Sequence, residues 1–384
     1  MRLLIEWFGH PERAFFSVLI AGTKGKGSTG FFLESILEAG GNRTGFYSSP
    51  HLQDPRERVR IGGKMISKSA WQWGLNKIRR VLSQKRLPHG TGDFTYFEIM
   101  TLLGMLVFAK TRVQVGIFEV GMGGRLDATN VLNASLGILT PIHLDHEAFL
   151  GHNIAAIARE KAAIIRRGAQ IVVSTQSAAA MREIKKQAKA MRARLISAGR
   201  LNRHSLGLKG EFQRVNAGAA LKAASVLREA HGFSVPDKAI RSGLRAKNWP
   251  GRFEQVVGSP EFVIDSAHNP SAVQALVKSL RMIYGTRDRV LIFGVARDKN
   301  SGAMLRYFSR FFSNVILTKL PNIRSQEMGV LLTQARRYFE KVLPAAKTSE
   351  AMSLARKSVS PKGVVVVAGS FYLSGEVRTL LGRL

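Results

Sequence analysis

The stretch that decides the fold is Phe16-Ser17-Val18-Leu19-Ile20-Ala21-Gly22-Thr23-Lys24-Gly25-Lys26-Gly27-Ser28-Thr29. An apolar run leads into a glycine-rich turn and then into residues that can begin a helix. Glycines allow backbone N–H groups to surround a phosphate, a helix N-terminus favours an anion, and Lys26 adds a positive charge. The strict P-loop pattern fails because Gly27 follows Lys26. The stretch therefore favours a phosphate-binding loop over a purely structural glycine turn.

Outward from this loop, short apolar runs alternate with helical patterns, which predicts an α/β fold with a mostly parallel sheet. The predicted strands are Phe16 to Ile20, Val113 to Val120, Ser135 to Thr140, Ile171 to Ser174, Glu261 to Ile264, Arg289 to Phe293, Asn314 to Thr318 and Gly363 to Ala368. The predicted helices include Gly27 to Ala39, Thr95 to Lys110, Ile154 to Arg166 and Asn216 to Glu229.

A domain boundary is expected at Asn248-Trp249-Pro250-Gly251, because proline and glycine together end a helix and form a connector. A new strand–helix series begins at Glu261. We therefore predict an N-terminal P-loop-type nucleotide-binding domain over residues 1–247 and a smaller, Rossmann-like α/β domain over residues 248–384. The active site is expected between the two.

The composition is that of a globular protein with an extreme charge. The chain has 384 residues, no cysteine and a formal net charge of +32. The absence of cysteine excludes disulfides and thiolate metal sites. The densest basic runs, Lys77 to Arg86 and Arg182 to Arg200, have the pattern of exposed faces of amphipathic helices. A solvated surface that favours anionic substrates is therefore preferred to a dedicated nucleic-acid site, and no sequence-specific nucleic-acid partner is expected.

The sequence also lacks membrane signals. The first residues contain no long uncharged apolar stretch that would make a signal peptide. The longest apolar run, Ile99 to Ala109, is too short to span a bilayer, which needs about 20 residues. We expect a cytoplasmic protein with no membrane partner.

Two further motifs place oxygen ligands near the predicted loop. Glu119 ends the apolar run Phe118-Glu119-Val120 and opens onto glycines, a position typical of a Mg²⁺ ligand at the carboxyl end of a strand. Ser48 and Ser49 precede a proline in a loop. Either hydroxyl is a possible metal ligand, although the motif taken alone favours an ordinary turn.

Lys161 falls on the apolar stripe of the predicted helix Ile154 to Arg166. A lysine there either extends its charge to solvent or has a function, and the pattern alone favours the first explanation. His143 and His146 in His143-Leu144-Asp145-His146 fit core or loop histidines as well as ligands.

The last motif is Asp265-Ser266-Ala267-His268-Asn269-Pro270. Asn269 is a good N-cap and Pro270 suits the first helical position, so both have a structural explanation. Asp265 and His268 lie where the end of a strand would open onto a crevice.

Taken together, these segments resemble the folylpolyglutamate synthase and dihydrofolate synthase family, the folate branch of the Mur ligases. The matching stretches are, in order, AGTKGKGST, GFYSSPHL with ERVRI, EVGMGGRLDATN, LDH, AREKA, WPGRFE, DSAHNP, FGVARDK and AGSFYLSGEV. They cover nearly the whole chain. The family usually has asparagine where this chain has Lys24.

The resemblance implies a role for each matching position. The ATP-binding residues are Thr23, Lys24, Gly25, Lys26, Gly27, Ser28, Asn216, Arg252 and Asp265. The metal ligands are Ser49, Glu119, His146 and Lys161, the last carbamylated. The residues on the substrate side are Phe94, Thr95, Tyr96, Phe97, Leu126, Asp127, Ala128, His268 and Ser370. Lys26, Lys161, His146 and His268 are expected to carry the catalysis.

The activity implied is an ATP-dependent ligation. A carboxylate of dihydropteroate or of a reduced folate attacks the γ-phosphate, and L-glutamate displaces phosphate from the resulting acyl phosphate. The cofactors implied are ATP, Mg²⁺ and a second cation, Mg²⁺ or K⁺. A monomer is expected. Positioning and charge neutralisation suffice for such chemistry.

Three alternatives remain open at this stage. A cell-wall Mur ligase would need a sugar-binding domain before the phosphate loop, which here begins at Gly22. A basic P-loop protein that binds nucleic acid would leave Glu119, His146 and Lys161 without a role. A homologue that binds folate without catalysis would have no use for the metal and lysine positions.

Overall fold

The computed structural model describes residues 1–89, 92–247, 249–321 and 323–382. The chain divides into two compact units. The first contains Met1–His51, Pro55–Gly207 and Arg214–Ala246, and the second contains Leu52–Asp54, Leu208–Gln213 and Lys247–Leu384. Asn248 of the expected boundary lies outside the described residues. The assignment of an ATP-binding role to residues 1–247 and of a C-terminal ligase domain to 248–384 stays a prediction.

The first unit is built on an eight-stranded sheet. Its strands are β1 (Phe16–Ala21), β2 (Thr44–Tyr47), β3 (Val59–Ile61), β4 (Lys64–Met65), β5 (Val115–Glu119), β6 (Leu136–Leu139), β7 (Gln170–Val173) and β8 (Arg194–Ser197). Their order is β4-β3-β2-β5-β1-β6-β7-β8. Six neighbouring strands, β2, β5, β1, β6, β7 and β8, run parallel. At one edge of the sheet, β3 pairs antiparallel with both β2 and β4. The carboxyl ends of β1, β5 and β6 therefore lie at one edge of the sheet.

Helices cover this sheet. They are α1 (Arg2–Trp7), α2 (Lys26–Ala39), α3 (Lys68–Leu82), α4 (Tyr96–Lys110), α5 (Glu147–Leu150), α6 (Ile154–Ala162), α7 (Ala178–Ala190), α8 (Gln213–His231) and α9 (Asp237–Leu244). The central strands are apolar on both faces because both faces are covered: every residue of β5 is buried. The helix α4 is also buried over most of its length and begins with a capping box between Thr95 and Glu98.

The second unit has a six-stranded sheet of β9 (Glu254–Val256), β10 (Glu261–Ile264), β11 (Arg289–Phe293), β12 (Asn314–Thr318), β13 (Lys341–Ala345) and β14 (Val364–Ala368). The order is β13-β12-β11-β14-β10-β9, with only the β9–β10 pair antiparallel. Its helices are α10 (Pro270–Tyr284), α11 (Ser301–Phe308), α12 (Met328–Ala335), α13 (Thr348–Ser358) and α14 (Phe371–Leu380). The predicted α/β class with mostly parallel sheets is confirmed in both units.

Two predicted elements differ from the structure. The helix predicted to reach Arg166 ends at Ala162, because Ile164 and Ile165 donate to carbonyls three residues back and Arg166 turns to donate to the Leu132 carbonyl. Both isoleucines are still buried, which explains the helical pattern.

The basic run Arg182 to Arg200 is only partly helical. The helix α7 ends at Ala190, and β8 then adds a strand to the sheet beside β7. The strands β2, β3, β4, β8, β9 and β13 were not predicted. All of them except β2 contain two or more residues that are not fully buried, and polar residues or proline shorten their apolar pattern. Within the described residues, no helix combines the length and the apolar character that a bilayer crossing requires.

Candidate functional site

The glycine-rich loop after β1 is anchored to the segment that follows β6. The Thr23 N–H donates to the Pro141 carbonyl at 3.0 Å, and the Thr23 hydroxyl donates to the His143 carbonyl at 3.0 Å. Gly22 has φ +150°, and a Cβ there would lie 1.9 Å from Thr140 Oγ1. Only glycine fits at this point, which is the physical reason for the first glycine of the motif.

The loop ends at the N-terminus of α2. Gly25 precedes the helix with φ +87°, and a Cβ there would lie 2.1 Å from Asn216 Oδ1 of α8. No side chain caps this helix, and its first turn contains no acidic residue. Gly27 and Ser28 are buried in that turn. The first N–H groups of α2 are thus arranged to bind an anion such as a phosphate.

The predicted phosphate lysine and two predicted metal ligands converge beside this loop. The Lys26 ammonium donates to the Gly22 carbonyl at 3.2 Å and lies 3.9 Å from Glu119 Oε1. Glu119 ends β5 and is 4% exposed. The Ser49 N–H donates to Glu119 Oε2 at 3.2 Å. One positive group, one carboxylate and one serine therefore surround the space in front of the α2 N-terminus.

Lys24 adds a second basic group to the loop. Burial lowers the pKa of Lys24. Burial, together with the nearby Lys24 charge, lowers the pKa of His143 to about 4. His143 is therefore neutral near pH 7.

Lys161 lies in α6 and is 5% exposed. Burial, followed by repulsion from Lys26, lowers the pKa of Lys161 to about 7, although Asp145 and Asp127 act in the opposite direction. Among the residues that the structure describes, no carboxylate is within ion-pair distance of its ammonium. The side chain does not extend to solvent, so the first of the two explanations from the sequence is wrong. A buried amine with a large neutral fraction is a nucleophile.

The glycine loop after β5 packs directly on α6 next to this lysine. A Cβ at Gly124 would lie 2.5 Å from the Glu160 carbonyl, and the Arg125 N–H donates to the same oxygen at 3.1 Å. The close approach requires glycine and brings the loop after β5 against the backbone at Lys161.

His146 directly precedes the short helix α5 and has φ +51°. Its N–H donates to Asp145 Oδ1 at 3.0 Å, and its Nε2 lies 3.9 Å from the same oxygen. The described part of the chain contains no group of three or more His, Asp or Glu side chains placed to hold a metal ion. A cation here would therefore need donors of another kind, such as a serine hydroxyl, a carbamate or phosphate oxygens.

Two of the expected substrate residues have clear structural roles. Thr95 caps α4 and exchanges hydrogen bonds with Glu98. The Phe97 ring fills the space beside Gly121, where a Cβ would lie 2.6 Å from the ring. Both residues hold local structure around the end of β5, whatever else they contact.

Their neighbours Phe94 and Tyr96 differ in exposure. Phe94 packs edge-on against Trp7, with 5.8 Å between ring centroids. Tyr96 is 55% exposed, and the Arg58 guanidinium lies 5.4 Å from its ring centre. Tyr96 is thus the more accessible of the two for a ligand.

The segment Leu126-Asp127-Ala128 combines a rigid and an exposed residue. The Asp127 carboxylate accepts from the Thr129 N–H at 3.0 Å and from the Met122 N–H at 2.9 Å. Ala128 is buried, whereas Leu126 is 81% exposed. The hydrogen bonds of Asp127 hold the loop in a shape that presents the Leu126 side chain to solvent.

In the second unit, Asp265 follows β10 and is 5% exposed. Its carboxylate accepts from the Phe253 N–H at 2.8 Å and from the Ala267 N–H at 2.9 Å. Burial raises the pKa of Asp265 to about 6, against the attraction of Arg252. The carboxylate is fixed in orientation, and Arg252 is the nearby positive group.

Arg252 and His268 share one aromatic neighbour. The Arg252 guanidinium lies 4.6 Å from the Phe371 ring centre, and the His268 ring lies 5.3 Å from it. His268 Nδ1 is 2.9 Å from the Ser266 carbonyl, so Nδ1 carries the proton and donates. Ser370, 5% exposed, caps α14 by accepting from the Tyr372 N–H at 3.1 Å.

Comparisons with known proteins identify the family of the chain. Residues 20–236 match the Mur ligase middle domain, and residues 251–371 match the glutamate ligase domain of the Mur ligases. The chain is 32% identical to the dihydrofolate synthase/folylpolyglutamate synthase of Mycobacterium tuberculosis, over 99% of this chain and 89% of that protein.

The chain belongs to the folylpolyglutamate synthase and dihydrofolate synthase family.

Solved structures of this family have the same fold. The Mycobacterium tuberculosis folylpolyglutamate synthase complexed with ADP has a TM-score of 0.93 at 31% identity, over 99% of this chain and 93% of that chain. The Escherichia coli protein in complex with DHPP and ADP has a TM-score of 0.86 at 29% identity, over 98% and 92% of the two chains. As a member of this family, the chain is an ATP-dependent ligase of the Mur ligase superfamily.

Three residues that contact candidate site residues were not named from the sequence. Thr140 lies close to Gly22, Arg58 lies against the Tyr96 ring, and Phe371 is near both Arg252 and His268. Arg58 is part of the quoted ERVRI stretch, and Phe371 is part of AGSFYLSGEV. Thr140 carries no signal in a single sequence, because its importance depends on a contact between separate strands.

Proposed function

We propose that this ligase joins L-glutamate to dihydropteroate, to a reduced folate, or to both, by way of an acyl phosphate. The observation that carries the proposal is the convergence of Lys26, Glu119 and Ser49 in front of the α2 N-terminus. That arrangement suits a triphosphate and its cation better than it suits a neutral ligand. The names of the relatives support a folate-type acceptor.

In the proposed reaction, the ammonium of Lys26 and the N–H groups of α2 stabilise charge on the transferring phosphoryl group. The substrate carboxylate attacks the γ-phosphate, ADP leaves and an acyl phosphate forms. The amine of glutamate then attacks the acyl carbon, and the tetrahedral intermediate collapses to an amide and phosphate. Positioning and electrostatic stabilisation supply most of the rate enhancement in such transfers.

The residues of the first unit fit a hard cation. Glu119 offers a buried carboxylate and Ser49 a hydroxyl beside it. We propose that Lys161 reacts with CO₂ and that the resulting carbamate supplies the further carboxylate that the described side chains do not provide. His146 is proposed for a second cation, Mg²⁺ or K⁺. Bound Mg²⁺ would neutralise phosphate charge during the transfer.

The remaining positions are proposed ligand contacts. Thr23, Lys24, Gly25, Gly27, Ser28 and Asn216 of the first unit, with Arg252 and Asp265 of the second, are proposed to bind ATP. His268 and Ser370 are proposed to contact the incoming glutamate. The pterin side is assigned to Phe94, Thr95, Tyr96, Phe97, Leu126, Asp127 and Ala128. A cytoplasmic location and a monomeric state also stay predictions.

The direct test is phosphate release from ATP and Mg²⁺ with L-glutamate, in the presence of dihydropteroate, tetrahydrofolate or no pterin. Release that requires glutamate and dihydropteroate supports the synthase activity, and release with tetrahydrofolate supports chain extension. A Lys26→Met variant serves as the matched control and should lose the signal in every arm. If folded protein gives no pterin-dependent release, the folate assignment fails and other carboxylate acceptors become the next candidates.

A further inference from the structure

The edge of the first sheet opposite the phosphate loop carries a row of arginines. Because β2, β5, β1, β6, β7 and β8 are parallel, their amino ends lie together, away from the carboxyl ends that form the ligase site. Five of these six strands are preceded, within three residues, by an exposed arginine. We call these residues the amino-edge arginines: Arg43, Arg112, Arg13, Arg167 and Arg192, in the order of the strands.

Local contacts bring these arginines together in two pairs. Arg43 donates to the Thr111 carbonyl at 3.2 Å, which places it beside Arg112. The Gly168 N–H donates to the Met191 carbonyl at 2.9 Å, which places Arg167 beside Arg192. Neighbouring strands are about 4.8 Å apart, so the row is roughly 24 Å long.

Two members of the row have a backbone conformation that normally favours glycine. Arg112 has φ +52° and Arg192 has φ +50°. Each follows the last turn of a helix, where Val113 and Ala193 close the turn by donating to the Phe108 and Ala188 carbonyls. Glycine is the usual residue at this position of a helix end. Both helix ends use arginine instead, at the edge where the other arginines lie.

Acidic groups at this end of the sheet are already engaged. Glu12 lies 2.8 Å from His10 and 3.7 Å from Arg13. Glu229 and Asp237 both pair with Arg228, at 3.9 and 3.4 Å. Glu38, beside Arg43, accepts from the Thr44 N–H at 2.8 Å. The helix α7 adds the exposed Lys185, Lys186 and Lys189 on one flank, so basic residues outnumber these acidic groups along the row.

We propose that the amino-edge arginines bind the phosphate backbone of nucleic acid without reading its sequence. A row of roughly 24 Å matches about seven base pairs at a rise of 3.4 Å. Guanidinium groups suit phosphate oxygens through paired hydrogen bonds. Among the described residues, none of the large exposed apolar side chains belongs to the loops of this edge, so the apolar anchor of a membrane-binding surface is missing.

The amino-edge arginines and the candidate ligase site lie at opposite ends of the parallel strands. The phosphate loop follows the carboxyl end of β1, whereas Arg13 precedes its amino end. A nucleic acid on the amino edge would leave the ligase site of the first unit uncovered.

The test measures binding of labelled duplex and single-stranded DNA by fluorescence anisotropy over a range of salt concentrations. In the full chain, replacing Arg112→Gly and Arg192→Gly together should weaken binding at least about tenfold near 0.1 M salt and reduce the salt slope by roughly two. Glycine suits both φ values, so the melting temperature should be kept or raised. Phosphate release by the ligase should not change.

The matched control is the pair Arg336→Gln and Arg337→Gln, which removes the same formal charge from two exposed residues of the second unit. Retained affinity in this control supports a local site. An equal loss in the control would overturn the proposal in favour of general charge attraction. Absence of DNA binding by the unmodified chain would also overturn it, as would arginine-dependent binding to vesicles of anionic lipid in preference to DNA.

Discussion

Lys161 shows how burial changes the chemistry of a single residue. Its amine is 5% exposed, lies near Lys26 and has a pKa lowered to about 7. An isolated buried charge is unfavourable unless it is paired, so burial favours the neutral amine, and the proposed carbamate would need a cation beside it. Only the carbamate would offer oxygen ligands to a cation beside Glu119.

The Lys161→Ala variant tests whether the working form of Lys161 is a carbamate or an amine. We expect it to lose nearly all glutamate-dependent phosphate release, because the carbamate oxygens are gone. Added acetate should restore part of the activity, since it can occupy the vacated space as an anion. Methylamine is the matched cationic additive. Rescue by methylamine and not by acetate would mean that the ammonium, rather than a carbamate, is the working form.

Glu34 is a second buried residue with an unusual environment. Its side chain is 0% exposed, Arg60 Nε donates to Oε2 at 3.0 Å, and Oε1 has no hydrogen-bond partner. Burial outweighs the attraction of Arg60 and raises the pKa of Glu34 to about 7. The folded protein therefore holds this proton more tightly than the unfolded chain does.

The stability contributed by the proton on Glu34 should fall as the pH rises from 4.5 to about 7, by at most about 1.4 kcal/mol per pH unit. The Glu34→Gln variant removes this dependence. Urea denaturation measures the free energy of unfolding of both proteins. The value for the variant minus the value for the unmodified protein should increase steadily as the pH rises across this range. The exposed Glu340→Gln variant is the control. A constant difference between Glu34→Gln and the unmodified protein at all pH values would refute the assignment.

At the scale of the element, α2 shows how a helix depends on its neighbours. No side chain caps its N-terminus, and Gly25 at that end permits Asn216 of α8 to approach closely. The other end of the same helix is followed by Gly41, which has φ +85° and no atom within 4 Å of a Cβ. The two glycines share a backbone conformation and differ in their surroundings.

Substituting each glycine by alanine isolates the contact with Asn216. Gly41→Ala should cost only the strain of a left-handed alanine, about 1 kcal/mol. Gly25→Ala should cost more and should also raise the KM for ATP at least about tenfold, because Asn216 and the loop must move apart. Calorimetry and phosphate-release kinetics measure the two effects. Equal KM values for both variants would show that the contact does not shape the nucleotide site.

At the scale of the whole molecule, the dominant feature is the net charge of +32. Like charges destabilise a compact state by mutual repulsion, and salt screens this repulsion over about 10 Å at 0.1 M. We therefore expect the melting temperature to rise as sodium chloride increases from low concentration to about 0.2 M. An uncharged osmolyte at equal osmolality is the control. A flat salt response would mean that the surface arginines and lysines are too far apart to repel one another.

The fold class, most strand positions and the family could be predicted from the sequence alone. Alternating apolar runs and helical patterns predicted the α/β class, and the eight predicted strands appear with ends shifted by at most two residues. Asn269 and Pro270 begin α10 as expected, because capping depends on neighbouring residues in the chain. The family resemblance rested on short motifs whose residues are close in sequence. Features that depend on residues close together in the sequence could therefore be predicted without a structure.

Only the tertiary structure decided which residues meet and how deeply they are buried. The sequence left Lys161 between two explanations, and burial against the Gly124 loop excluded the one that extends its charge to solvent. The approach of Lys26 to Glu119 and the row of arginines at the amino edge depend on strands that are distant in sequence and adjacent in the sheet. A single sequence records the types of these residues. Distances between them arise from sheet order and packing, which long-range contacts determine.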